Sequence, residues 1–214
     1  MVVFARSPAA DRVKTRLAAA IGGERAADLY CAFVEDLARR VRTAGFPVLW
    51  AVAPPAAGFA ERFGLRAEDC FPQSGEDLGA RMHAAFREMR SRGFERCALI
   101  GSDLPQLPLE RIARALGALD QADLVLGPAA DGGYYLIAMR EPHDVFSEMR
   151  WSHARVLADT LAKAEALGLR TSLLELDFDV DTPDDLERLR ALLASRPALR
   201  RDLPATAAAL DLAV

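Results

Sequence analysis

The stretch ARSPAADRVKTRLAAAIGG, residues 5–23, follows the apolar Val2-Val3-Phe4 and places Arg6, Arg12, Lys14 and Arg16 at the opening of a helix. A helix start carries about half a positive charge, so cations in its first turn each cost roughly a few tenths of a kcal/mol. Two readings follow. Either a polyanion sits there, held by backbone N–H groups and basic side chains together, or the stretch is a solvated basic face. Of the 27 Lys and Arg residues only Lys14 and Lys163 are lysine. In a chain that uses arginine wherever a surface cation will do, a lysine suits a place that wants a compact ammonium, a point charge for phosphate. On the anion reading the free protein carries local repulsion, and losing Lys14 should raise its stability slightly while removing most phosphate binding.

Acids stand at two further places. In GSDLPQLP, Gly101 allows a tight exit from an apolar run, Pro105 and Pro108 stop the chain from continuing, and Asp103 projects between them. A carboxylate there can hold Mg²⁺, which takes oxygen ligands, keeps several waters and bridges to phosphates; alternatively it caps the following turn or helix. In DFDVDTPDDLERL, Thr182 suits an N-cap, Pro183 the first helical position, and Asp185 the third place of a capping box, with Asp184 in the same turn. Capping does not account for Asp181, or for Asp179 two residues earlier on the same expected strand face. They are metal ligands, Asp179 in reserve, or a solvated strand end. Two loops that each offer an Asp beside a cationic loop make the layout of a metal–polyphosphate site.

Three more stretches carry candidates. Asp131-Gly132-Gly133 reads as a hairpin turn, or as a place where a ligand nears the backbone while Asp131 or Tyr134 contacts it. Gln73 and Gly75 precede a helix capped near Asp77. Trp151, Ser152 and His153 stand at another helix entry, with Ser152 the expected cap. His83 and His143 have no partner pattern.

The elements that must position these residues alternate. Strand-like runs fall at Val2–Ala5, Val48–Val52, Cys97–Ile100, Leu124–Leu126, Tyr135–Met139 and Ser172–Leu176, with helical patterns at 24–43, 77–91, 109–119, 154–167 and 183–194. Such alternation predicts an α/β fold, a mostly parallel sheet with helices on both faces. Between Leu126 and Tyr135 there is no room for a crossover helix, so one strand is reversed and the sheet is mixed. In open α/β sheets ligands bind beyond the C-terminal strand ends, where the candidates fall.

With 214 residues, 51% of them hydrophobic, the chain suits one domain, expected over 1–195, with 196–214 as a peripheral C-terminal tail. A net charge of -4 gives no global basic field, which argues against nucleic acid as a main partner. Cys31, Cys70 and Cys97 have neither disulfide-framework nor zinc-ligand spacing. There is no run long enough for a membrane span and no signal-peptide core, so a cytoplasmic protein is expected. Oligomeric state is not legible.

Taken in order, F-A-R-S-P with V-K-T-R-L, Q…E-D-L-G-A-R-M, G-S-D-L-P-Q-L, G-P-A-A-D-G-G-Y-Y-L, W-S and D-V-D-T-P-D-D-L resemble, over nearly the whole chain, a bacterial GT-A superfamily usually labelled glycosyltransferase. Some of its members carry an arsenosugar-biosynthesis label, and the phospholactate guanylyltransferases are functional relatives. The resemblance implies a Rossmann-like nucleotide-diphospho-sugar transferase fold. It also implies that Asp103 contacts metal and nucleotide, that Asp181 is the second metal ligand, and that Mg²⁺ or Mn²⁺ is the cofactor. By the same mapping Lys14 and Arg16 face phosphates and Gln73 and Asp77 lie near the nucleoside; Arg6, Arg12 and Ser102 are further candidates for the nucleotide site. Asp131, Gly132, Gly133, Tyr134 and Trp151 mark where an acceptor binds. The chain departs from the family at Asp11, where glycine is usual, and at His153, where threonine is usual. Asp11 brings an acid and a Cβ into the phosphate loop.

A nucleotidyltransferase must neutralise a triphosphate and its pyrophosphate leaving group, the work suited to Lys14, Arg16 and a metal. A glycosyltransferase using a diphosphate sugar chiefly needs the metal acids. The residues therefore favour nucleotidyl transfer to a small phosphorylated acceptor. Glycosyl transfer is the alternative, and a catalytically silent nucleotide-binding module, suggested by Asp11, is a third reading.

Overall fold

The computed structural model describes residues 1–8 and 13–212. In chain order the elements are β1 (Val2–Arg6), α1 (Thr15–Ile21), α2 (Gly23–Arg40), β2 (Leu49–Ala53), α3 (Phe59–Arg62), β3 (Cys70–Pro72), α4 (Leu78–Ser91), β4 (Cys97–Gly101), α5 (Leu109–Ala118), β5 (Leu124–Pro128), β6 (Tyr134–Met139), α6 (Val156–Ala166), β7 (Thr171–Leu173), α7 (Pro183–Ser195), α8 (Pro197–Asp202) and α9 (Pro204–Leu212). Among the described residues the strands form one seven-stranded sheet in the order β3-β2-β1-β4-β6-β5-β7. β1 pairs with β4 in parallel and β5 with β7 in parallel, while β6 runs antiparallel to both β4 and β5. This is the mixed α/β sheet with one reversed strand. Every residue of β2 is buried, and β4 and β5 are buried except at their last residues, so these strands read as continuous apolar runs.

Contacts divide the chain into two compact units, each built from separated segments. One comprises Met1–Phe4, Pro72–Gly101 and Pro108–Phe178; the other comprises Ala5–Phe71, Ser102–Leu107 and Asp179–Val214. The core of the first centres on Met89, Ile100, Ile112, Leu119, Leu124, Leu126 and Leu136. In the second, Trp50, Phe33, Phe59, Leu17 and Leu29 are buried, and the Phe59 ring lies between those of Trp50 and Phe63 at centroid distances of 5.9 and 4.9 Å.

Some local expectations need correcting. Ser152 does not cap a helix: it has a left-handed backbone, φ 65°, and α6 begins at Val156. Asp179 and Asp181 lie on no strand. β7 stops at Leu173, its pairing with β5 ending at Leu126 just before the irregularity at Gly127 and Pro128, and residues 178–181 run as irregular backbone. The segment from 196 onward, expected to be peripheral, folds as α8 and α9 and buries Leu203, Thr206, Ala207 and Leu210. α9 docks on α2, whose buried Asp36 accepts the Ala205 and Thr206 N–H groups at 3.3 and 2.7 Å and so caps α9 from another helix.

Candidate functional site

Lys14 precedes α1 with φ 53° and ψ 45°, a left-handed conformation uncommon for a residue with a Cβ. Its side chain is only 2% exposed, and its ammonium sits between two carboxylates, 2.5 Å from Asp103 Oδ1 and 2.9 Å from Asp181 Oδ1. Arg16, largely in solvent, brings Nη2 to 3.9 Å from Asp181 Oδ2. The Phe33 ring lies beneath the ammonium at 5.7 Å from its centroid. Burial alone would lower the Lys14 pKa. The charges of Asp103 and Asp181 and their hydrogen bonds together outweigh burial and hold it above the ordinary lysine value.

Asp103 is fixed in place from three sides. Ahead of it, the buried Ser102 hydroxyl hydrogen-bonds the Tyr30 phenol at 3.0 Å, and the same phenol accepts the Arg6 N–H at 2.8 Å. Beside it, the Asp103 carbonyl accepts the Val180 N–H at 3.0 Å, which sets Asp181 next to it. After it, the Arg40 guanidinium donates to the Pro105 and Leu107 carbonyls at 2.6 and 2.8 Å. Asp181 is held from its other side by the helix start: Thr182 and Asp185 form the full capping box of α7, with Pro183 in its first turn. Burial, then the Asp103 charge, pushes the Tyr30 phenol up, so it stays a neutral hydrogen-bonding group.

Tyr30, Phe33 and Arg40 stand on one face of α2 at helical spacing, and sequence reasoning did not find them. An aromatic and apolar helix face reads as core, and nothing in it announces a partner at residue 102 or 105.

Two carboxylate oxygens converging on one nitrogen lie no farther apart than those two contact lengths end to end. Both acids keep more than a third of their side chains in solvent, at 38 and 36%. Among the described residues no cluster of three or more His, Cys, Asp or Glu side chains could hold a metal. Two carboxylate oxygens are the donors that could hold a hard, oxygen-seeking cation, its remaining ligands coming from water and phosphate.

Of the other candidates, Asp179 belongs to the second unit, Arg12 lies outside the described residues together with Asp11, and the rest belong to the first unit. Asp77 caps α4 by accepting the Ala80 N–H at 2.8 Å, and the half-buried Gln73 stands between β3 and α4. Asp131 Oδ1 accepts the Gly133 N–H at 2.9 Å inside the turn between the antiparallel β5 and β6. Gly132 has φ +89°, and a Cβ there would come within 2.1 Å of the Ala154 carbonyl oxygen. Its own carbonyl accepts the Leu157 N–H at 2.9 Å. Burial pushes the Tyr134 phenol up, with Thr160 as its polar neighbour. The Trp151 ring covers Gly79, where a Cβ would meet Cζ2 at 2.5 Å, and its indole N–H has no hydrogen-bond partner among the described residues. The loop of Trp151 and Ala154 therefore touches both the start of α4 and the Gly132 turn. The sequence did not single out Arg111, whose Nη1 reaches Asp177 Oδ2 at 2.5 Å. The Asp177 backbone bonds Pro128 and Ala130 and so supports the same turn.

Residues 36–153 match the family model described as uncharacterised protein conserved in bacteria, DUF2064. The chain is 33% identical over 158 residues to the phosphoenolpyruvate guanylyltransferase of Chloroflexus aggregans, covering 70% of this chain and 73% of the relative. A crystal structure from Desulfovibrio desulfuricans G20, provisionally described as a nucleotide-diphospho-sugar transferase, is 32% identical with a TM-score of 0.86 over 99% of this chain and 96% of that one. A cytidylyltransferase of Leptospira borgpetersenii is 13% identical with a TM-score of 0.57, over 91 and 85% of the two chains, a likeness of fold.

Proposed function

The chain belongs to the DUF2064 family of proteins conserved in bacteria, and from that premise we propose that this transferase moves a nucleotidyl group from a nucleoside triphosphate to a small phosphorylated acceptor and releases pyrophosphate. One observation carries the reading: Asp103 and Asp181 meet at a single cation, the buried Lys14 ammonium, with Arg16 alongside. An acceptor phosphate oxygen attacks the α-phosphorus, the bond from that phosphorus to the bridging oxygen of the β-phosphate breaks, and pyrophosphate leaves with the electron pair. The carboxylates of Asp103 and Asp181 would hold Mg²⁺ or Mn²⁺, which supplies charge neutralisation of the triphosphate. Lys14 and Arg16 offset the charge that grows on the leaving pyrophosphate. Arg6, Arg12, Gln73, Asp77 and Ser102 are the candidates for nucleotide contacts, and Asp131, Gly132, Gly133, Tyr134 and Trp151 those for the acceptor.

The guanylyltransferase relative makes GTP and phosphoenolpyruvate the first pair to try. With Mg²⁺ present, purified protein should release pyrophosphate from GTP only when a phosphorylated acceptor is added, and Asp103→Asn should lose that release by at least a hundredfold. The likeness to the Desulfovibrio structure supports a second reading, glycosyl transfer from a nucleoside diphosphate sugar. Release of a nucleoside diphosphate from such a sugar, with no pyrophosphate from any triphosphate, would decide for it.

A further inference from the structure

The Lys14 ammonium occupies the point at which the Asp103 and Asp181 oxygens converge. A divalent cation held by those two oxygens and the ammonium cannot share that point, because like charges at contact distance in a partly buried place repel strongly. From this, and resting on the metal-assisted reading above, we propose that Lys14 is the resident counter-ion of the acid pair and that a divalent cation enters by displacing it. Metal entry and release of the ammonium are then one event, and the freed ammonium becomes available to a phosphate anion.

Three features support the exchange. Lys14 holds a left-handed backbone at φ 53°, a conformation uncommon in a residue with a Cβ, while its side chain makes the two ion pairs. The pair with its ammonium retains a negative charge that a divalent ion would cancel, so the exchange is driven by charge. Among the described residues the ammonium meets the two acids and the Phe33 ring, an apolar floor, and the solvent-exposed Arg16 guanidinium lies beyond Asp181. Leaving this place exchanges the contacts to Asp103 and Asp181 for those the metal makes.

Because Lys14 and Lys163 are the only lysines, the native protein carries its own internal reference. Treated briefly with an amine-acylating reagent and analysed by peptide mass spectrometry, the free protein should show Lys14 labelled at least tenfold more slowly than Lys163. Added Mn²⁺ should raise Lys14 labelling at least tenfold and leave Lys163 unchanged, and pyrophosphate added with Mn²⁺ should suppress it again. In parallel, calorimetry without nucleotide should find that Lys14→Met binds Mn²⁺ at least tenfold more tightly than the unaltered protein. Lys14 labelling that does not respond to Mn²⁺ at concentrations where calorimetry shows binding, or equal Mn²⁺ affinity in both proteins, overturns the exchange and leaves the transferase reading standing. No Mn²⁺ binding by either protein at millimolar concentration overturns both.

Discussion

Lys14→Ala removes the cation from between two carboxylates and leaves them facing each other. Breaking a fully buried ion pair from one side costs about 3–5 kcal/mol. Asp103 and Asp181 each keep over a third of their side chains in water, so screening should reduce the loss to about 1–3 kcal/mol, read as a lower urea midpoint. This sign is the reverse of what cations crowded at a helix start imply. The ammonium faces acids held by its own unit, and the helix dipole is the smaller effect. The pH dependence follows from the direction of the shift. A lysine whose pKa is raised on folding contributes stability that is fully present below the ordinary value of 10.5 and is lost as pH rises through the folded value. The stability difference between the unaltered protein and Lys14→Ala should therefore stay constant across the neutral range and shrink only in strong alkali. A variant as stable as the parent would detach Lys14 from the acid pair. Composition alone marked out this lysine, and capping logic left Asp103 and Asp181 over as acids without a structural task. The sequence reading put the lysine and both acids around one site, but that the ammonium itself sits between the carboxylates was not legible, because the contact joins positions far apart in the chain through a loop, where no periodicity records which partner is chosen.

Among the elements, α2 does the most for this arrangement. Its 18 residues carry a clear apolar face, and the sequence reading found it within a few residues, together with the α4 cap at Asp77 and the α7 capping box. Long elements with caps are legible because their signals are local. β3, of three residues, and the four-residue α3 are too short to show a period, whereas the sequence reading places β7 at Ser172–Leu176 and it lies at Thr171–Leu173. What α2 holds is also invisible locally: the Tyr30 hydroxyl joins the end of β1 to the exit of β4 through Arg6 and Ser102. Tyr30→Phe keeps the ring and its packing but leaves the Arg6 N–H and the Ser102 hydroxyl without this partner. Stability should fall by about 1–2 kcal/mol, and amide exchange should quicken at Arg6 and Ser102 before it does in β2. Unchanged exchange at those two amides would mean that the loop bearing Asp103 is held without the phenol.

At the scale of the whole molecule, the segment after Ser195 tests how far composition can mislead. Its prolines and alanines suggest loose chain, yet Pro197 and Pro204 each stand at the first position of a helix, where a missing N–H costs nothing. Alanine is a strong helix former, and Leu203, Ala207 and Leu210 are sequestered from solvent. Asp36, with 1% of its side chain exposed, gives α9 its cap. Ending the chain at residue 195 strips that cover from α2. Burying one leucine side chain is worth about 1.5–3 kcal/mol, so losing Leu203 and Leu210 together with the α2 surface they cover should cost about 4 kcal/mol or more. For a chain of this length that is a fall in Tm of roughly 8–16 °C. In the full chain, Asp36→Ala should reproduce only part of the fall, about 1–3 kcal/mol, since it removes the acceptor for the Ala205 and Thr206 N–H groups and leaves the apolar contact in place. A shortened chain melting within a degree or two of the parent would show that α9 adds little to α2. A fall in Asp36→Ala as large as that of the shortened chain would assign the stabilisation to the buried carboxylate instead of to the leucines.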